Sequence, residues 1–210
     1  MAYTNSNGYR AVLLLNALFS FSNPFGRAFM LPSDIAAQYH LSTSTSLPFP
    51  SSTQSNTKTQ DTLTNGWSLS KGRIQQGSDN VAFVPDPFPG FQLPSSTVSS
   101  SSSSSSGPVL QVTYTKGGFS SQGSGTQFYS LWNTTGDPFK TVLLTYEVAF
   151  DSSFDWVKGG KLPGLRGGPD ANTCDGGSAS DGTCFSTRIM WRKSGDGEGT
   201  HTASMLWCRS

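Results

Sequence analysis

The sequence predicts an all-β protein, an antiparallel sandwich or jelly roll. Three observations carry this. The 210 residues hold 23 glycines and 12% aromatic side chains, but only 13% are charged. That balance suits strands joined by long turns. Short segments of alternating polarity recur, each closed by a cluster of Gly, Pro, Asn or Asp. No long helical periodicity appears beyond the N-terminal segment.

That segment, residues 1–28, reads as an export signal. Arg10 precedes the apolar run AVLLLNALFSF, Ala11 to Phe21. The run is too short to span a bilayer and suits a signal h-region, with cleavage after Ser22 or Ala28. The protein is therefore expected outside the cell. The alternative is a buried helix opening a cytosolic domain. Residues 29–66 are rich in Ser, Thr, Pro and Asn and read as a linker. The domain proper is expected over 67–210. The eight serines of Ser99–Ser106 read as a loop insertion within it.

The strand candidates follow in order. WSLSKGRI (67–74) and NVAFV (80–84) are weak ones, ended by Pro85-Asp86-Pro87. VLQVTYT (109–115) alternates and closes on Lys116-Gly117-Gly118. TQFYSLW (126–132) precedes the turn cluster 133–138. TVLLTYEVAF (141–150) is the clearest, with Val142, Leu144, Tyr146, Val148 and Phe150 on one apolar face. TCFSTRIMWR (183–192) alternates as well.

A formal net charge of +1 gives no bulk electrostatic case for nucleic acid or an anionic membrane as partner. The three cysteines are Cys174, Cys184 and Cys208. An exported protein favours a disulfide, and Cys174–Cys184 would close a short loop. A metal site is not expected, because there is no C-x-x-C and His40 and His201 are far apart in sequence. No cofactor is implied. Asn133-Thr134-Thr135 is a glycosylation sequon at Asn133.

Period two on 183–192 puts Phe185, Thr187, Ile189 and Trp191 on one face, a normal core face. Ser186, Arg188, Met190 and Arg192 project the other way. Gln127 and Tyr129 share a face in the same manner. Polar residues are the default on the outer face of a half-buried sheet. Arginine can also hold a carboxylate through two hydrogen bonds, and aromatic rings can pack on sugar faces. Between these strands lies DWVKGGKLPGLRGG (155–168), a glycine-rich stretch carrying Lys158 and Lys161. Taken alone it is a tight turn with two loop lysines.

Several blocks together carry a resemblance: FVPDPFPG, VLQVTYTKGGFS, GTQFYSLW, TVLLTYEVAFDSSFDWVKGGKLPGLRGG and CFSTRIMWR. The chain resembles, from about Trp67 to about Glu198, fungal secreted polysaccharide lyases related to alginate lyase and glucuronan lyase (polysaccharide lyase families 14 and 20). The resemblance implies a β-jelly roll whose concave sheet binds an acidic polysaccharide, and β-elimination at a uronic acid. That chemistry needs a base for the C5 proton, a group that neutralises the neighbouring carboxylate, and an acid for the leaving O4. Lys161 matches the catalytic lysine of the alginate-lyase branch. Arg188 and Gln127 suit carboxylate neutralisation. Ser186, Arg192, Lys158 and Tyr129 are the expected substrate-binding residues. The protein is expected to act as a monomer.

One departure bears on activity. In these lyases a tyrosine-containing strand follows the MWR segment, but this chain has no tyrosine after Tyr146. The first tyrosine would fall near Thr200 and His201. The resemblance fades from about Gly199, so a fold incomplete at the C-terminus is expected. The alternatives to a lyase are a non-catalytic carbohydrate-binding jelly roll and an inactive truncated fragment.

Overall fold

The computed structural model describes residues 2–4, 10–13, 32–87, 107–119, 123–132, 139–151, 153–168 and 184–203. The fold is β-rich with few and short helices. The chain divides into two compact units, Thr45–Leu131 and the pair of segments Met1–Ser44 and Trp132–Ser210.

Among the described residues the Thr45–Leu131 unit holds one α-helix and three of the strands. Within the stretch expected as a linker, α2 (Asn56–Asp61) runs into a π-helical turn, Thr62–Gly66. Helix α1 (Pro32–Gln38) precedes it in the other unit. Helix α2 is too short to stand on propensity. Side-chain hydrogen bonds hold it instead. The Asn56 amide donates to the carbonyls of Ser78 and Val81 at 2.7 and 2.9 Å. The buried Thr59 hydroxyl accepts from the Phe83 amide at 3.1 Å. Strand β3 (Val81–Val84) pairs antiparallel with β4 (Val109–Val112). Its alternation sends Val81 and Phe83 inward. They join Leu63, Trp67, Leu69 and Ile74 in the core of this unit. The weak candidate at 67–74 forms no strand: Leu69 makes a single bridge to Ser130. Strand β5 (Ser130–Leu131) closes the unit.

In the other unit, β9 (Phe185–Trp191) is the central strand. Strand β10 (Gly197–Ala203) pairs antiparallel along its whole length, from Gly197 opposite Trp191 to Ala203 opposite Phe185. The region where the resemblance fades is therefore a paired strand. On the other side of β9 lie β7 (Gly160–Lys161) and β8 (Leu165–Gly167), both antiparallel to it. Within residues 1–28, expected as an export signal, two short strands are described. Strand β1 (Ala2–Thr4) runs parallel to β8, and β2 (Arg10–Leu13) runs parallel to β6 (Thr141–Leu144).

The clearest expected strand, 141–150, pairs only over Thr141–Leu144. Its apolar face is not a buried stripe, and Val148 is largely exposed. The second half leaves the ladder and packs toward β9. Phe150 meets Trp156 at 4.7 Å and Trp191 at 5.4 Å between ring centroids. Phe154 completes this cluster. Aromatic packing thus replaces strand pairing here.

Candidate active site

The glycine-rich stretch is built as an edge on β9. Gly160 stands opposite Trp191 and Lys161 opposite Met190. The Leu162 amide then donates to the Ile189 carbonyl at 2.8 Å. Further along, Arg166 stands opposite Ser186 and Gly167 opposite Phe185. These two registers do not match. Four residues, 162–165, span the distance that three residues, 187–189, span on β9. The extra residue is a β-bulge, and it falls on Leu162-Pro163-Gly164-Leu165. Proline suits a bulge because it has no amide to offer the ladder. Glycine is required at 164, where any β-carbon would overlap the Thr187 carbonyl.

The bulge decides which side chains share a side of the sheet. Ser186, Arg188 and Met190 alternate onto one face of β9. Opposed residues of an antiparallel pair project to the same side. Lys161, opposite Met190, and Arg166, opposite Ser186, therefore join them. Five residues apart in a regular strand, Lys161 and Arg166 would face opposite ways. The bulge puts them on one face. The Arg188 guanidinium donates to the Ser186 hydroxyl at 3.2 Å. Arg166 is 2% exposed and Ser186 6%, whereas Lys161 is open to solvent. The face is thus covered at its Ser186 end and accessible at its Lys161 end. The opposite face holds Leu165, Ile189 and Trp191, all buried.

Two aromatic side chains anchor the lysine segment. The Trp191 indole N–H donates to the Lys158 carbonyl at 3.2 Å. Its ring lies against Gly160, where a β-carbon would overlap it. On the other flank the Tyr146 hydroxyl donates to the Pro163 carbonyl at 3.1 Å. Burial holds this phenol neutral well above the ordinary tyrosine value.

The expected site residues fall into three groups. Lys161, Ser186 and Arg188 come together on the face just described. Lys158 and Arg192 are exposed at its margin, Arg192 being the first residue past β9. Gln127 and Tyr129 belong to the Thr45–Leu131 unit. There the Gln127 amide donates to the Tyr129 hydroxyl at 3.5 Å, so the two do share a side, and Tyr129 is buried. Asn133 and Cys174 lie outside the described residues. Cys184 is buried and disulfide-bonded, with its partner outside the described residues. Strand β10 places Thr200 opposite Arg188 and Thr202 opposite Ser186, where tyrosines were expected nearby. Arg166 is the residue that sequence reading missed. Its signal was the Pro-Gly pair inside an extended segment, a mark of a bulge. Among the described residues no group of His, Cys, Asp or Glu is placed to hold a metal ion. No helix among them is long and apolar enough to cross a membrane.

Lys161, Arg166, Ser186 and Arg188 thus share one sheet face that is open to solvent at the lysine. Residues 102–203 match the family model described as Polysaccharide lyase 14. The match supports a polysaccharide lyase, and it runs through β10 to the last described residue. No curated protein and no solved structure matches the chain.

Proposed function

We propose that this chain is a secreted, monomeric polysaccharide lyase that cleaves a uronic acid polymer such as glucuronan or alginate by β-elimination, on a jelly-roll scaffold. The observation that carries the reading is the shared face of Lys161, Arg166, Ser186 and Arg188. Arg188 pairs with the uronate carboxylate, and Ser186 fixes the guanidinium. Neutralising the carboxylate favours loss of the C5 proton, because the developing negative charge spreads onto it. The Lys161 amine takes that proton. The C4–C5 double bond forms, the C4–O4 bond breaks, and the proton taken up by Lys161 passes to O4, which leaves as a hydroxyl.

The test is release of the unsaturated uronate, read by its ultraviolet absorbance, from glucuronan, alginate and pectate. Product from at least one polymer is expected, and Lys161→Ala should lose it while keeping the wild-type circular dichroism spectrum. No product from any of the three sinks the lyase reading. A second reading, carbohydrate binding without cleavage, is favoured by the threonines at 200 and 202 of β10. It requires retardation of the protein in a polysaccharide gel with no product formed.

A further inference from the structure

We propose that Glu198 is a further substrate-binding residue: its carboxylate accepts hydrogen bonds from sugar hydroxyls of the polymer whose carboxylates the sheet cations hold. The proposal rests on the polysaccharide reading above. Among the described residues, β10 is the edge strand of its sheet, and β9 separates it from β7 and β8. Glu198 stands opposite Met190, Thr200 opposite Arg188 and Thr202 opposite Ser186. By register these three belong to the face of Lys161, Arg166 and Arg188. Met190 therefore has Lys161 on one side and Glu198 on the other. With neighbouring strands about 4.8 Å apart, the two backbones are about 10 Å apart across it.

The face is thus divided by strand. Strands β7, β8 and β9 supply the cations, and β10 supplies one carboxylate and two threonines. A uronic acid polymer is divided in the same way. Each unit carries a carboxylate, which needs cations, and secondary hydroxyls, which need acceptors. A carboxylate only accepts hydrogen bonds, so Glu198 suits the hydroxyls. It stands at the open end of the face, where Lys161 is exposed and Met190 half-buried. Its charge also repels the carboxylates of the polymer. Between solvated charges about 8 Å apart, that repulsion is worth about twofold in affinity. A hydrogen bond to a charged group is worth about tenfold or more. The hydrogen bond wins, and Glu198 favours binding.

The experiment is electrophoretic retardation of the full chain, Glu198→Ala and Glu198→Gln in gels cast with glucuronan, alginate or pectate. On the polymer that retards the wild type most, Glu198→Ala should raise the dissociation constant by about tenfold. Glu198→Gln keeps the shape and one neutral acceptor and should fall between the two. Tighter binding by Glu198→Ala overturns the proposal and makes Glu198 a counter-ion that holds the polymer off. Unchanged binding in both variants overturns it and leaves a charge that guards an edge strand. A wild-type chain that none of the three polymers retards overturns it as well. Product release, measured separately, tells this proposal from the lyase reading. A chain that binds through Glu198 and forms no product loses the lyase reading and keeps this one. A chain that forms product while Glu198→Ala binds like the wild type does the reverse.

Discussion

Gly160 faces Trp191 across the β7–β9 ladder, and the indole ring occupies the space that a β-carbon at position 160 would fill. The residue before Lys161 can therefore be nothing larger than glycine unless the ring or the backbone moves. Gly160→Ala should destabilise the chain by about 1–3 kcal/mol, the usual cost of overpacking. Activity should fall further than that loss explains, because the displaced backbone carries Lys161. Thermal melting with assays well below the transition checks both, and an unshifted melting temperature contradicts the packing described.

The Arg188–Ser186 hydrogen bond supports the guanidinium that would meet the substrate carboxylate. Ser186→Ala should lower kcat/KM by about tenfold, the scale of one hydrogen bond to a charged group. Arg188→Lys should cost more, because an ammonium cannot engage a carboxylate through two parallel bonds. Steady-state kinetics of both variants on one polymer give the ranking, and an equal or reversed order speaks against a bidentate role.

Tyr146 makes stability sensitive to alkali in a definite direction. Its folded-state pKa is raised above the ordinary 10.0 by burial. In the unfolded chain the phenol ionises near that ordinary value. Above it, ionisation stabilises the unfolded state first, so the contribution of Tyr146 is complete below about pH 10 and is lost as pH rises beyond it. Urea midpoints at pH 8 and pH 11 should fall more for the wild type than for Tyr146→Phe. Equal slopes would remove the phenol from the account.

Leu63, with no exposed surface, anchors the π-helical turn in the core of the Thr45–Leu131 unit. Leu63→Ala should cost about 2–5 kcal/mol. A stretch acting only as a linker would tolerate the change, so chemical denaturation of this variant tests whether folding of the unit includes residues 56–66.

The parts of the fold that depend on local alternation were legible in the sequence. Strand β9 shows its core face in Ile189 and Trp191 and its polar face in Ser186 and Arg188, as period two requires. Other parts depend on pairing, which periodicity does not encode. The alternation at 141–150 continues past Leu144, yet Tyr146 and Phe150 find better partners in Pro163 and Trp191 than a neighbouring strand would offer. Residues 56–66 lack periodicity because Asn56 and Thr59, polar side chains, tie them to the core. Arg166 stayed hidden for a related reason. Counting from Lys161 by twos assigns it to the wrong face, and only the register on both sides of Pro163-Gly164 corrects the count.

The bulge makes the length of this segment a matter of parity. Loss of one codon within 162–165 would match three residues to the three of 187–189, remove the bulge and leave Lys161 and Arg166 on one side of the sheet. Loss of two codons would leave the pair an odd number of positions apart and turn them to opposite sides of a regular strand. Variation in this protein should therefore be judged here by odd and even, a two-residue deletion exchanging the faces where a single-residue deletion keeps them.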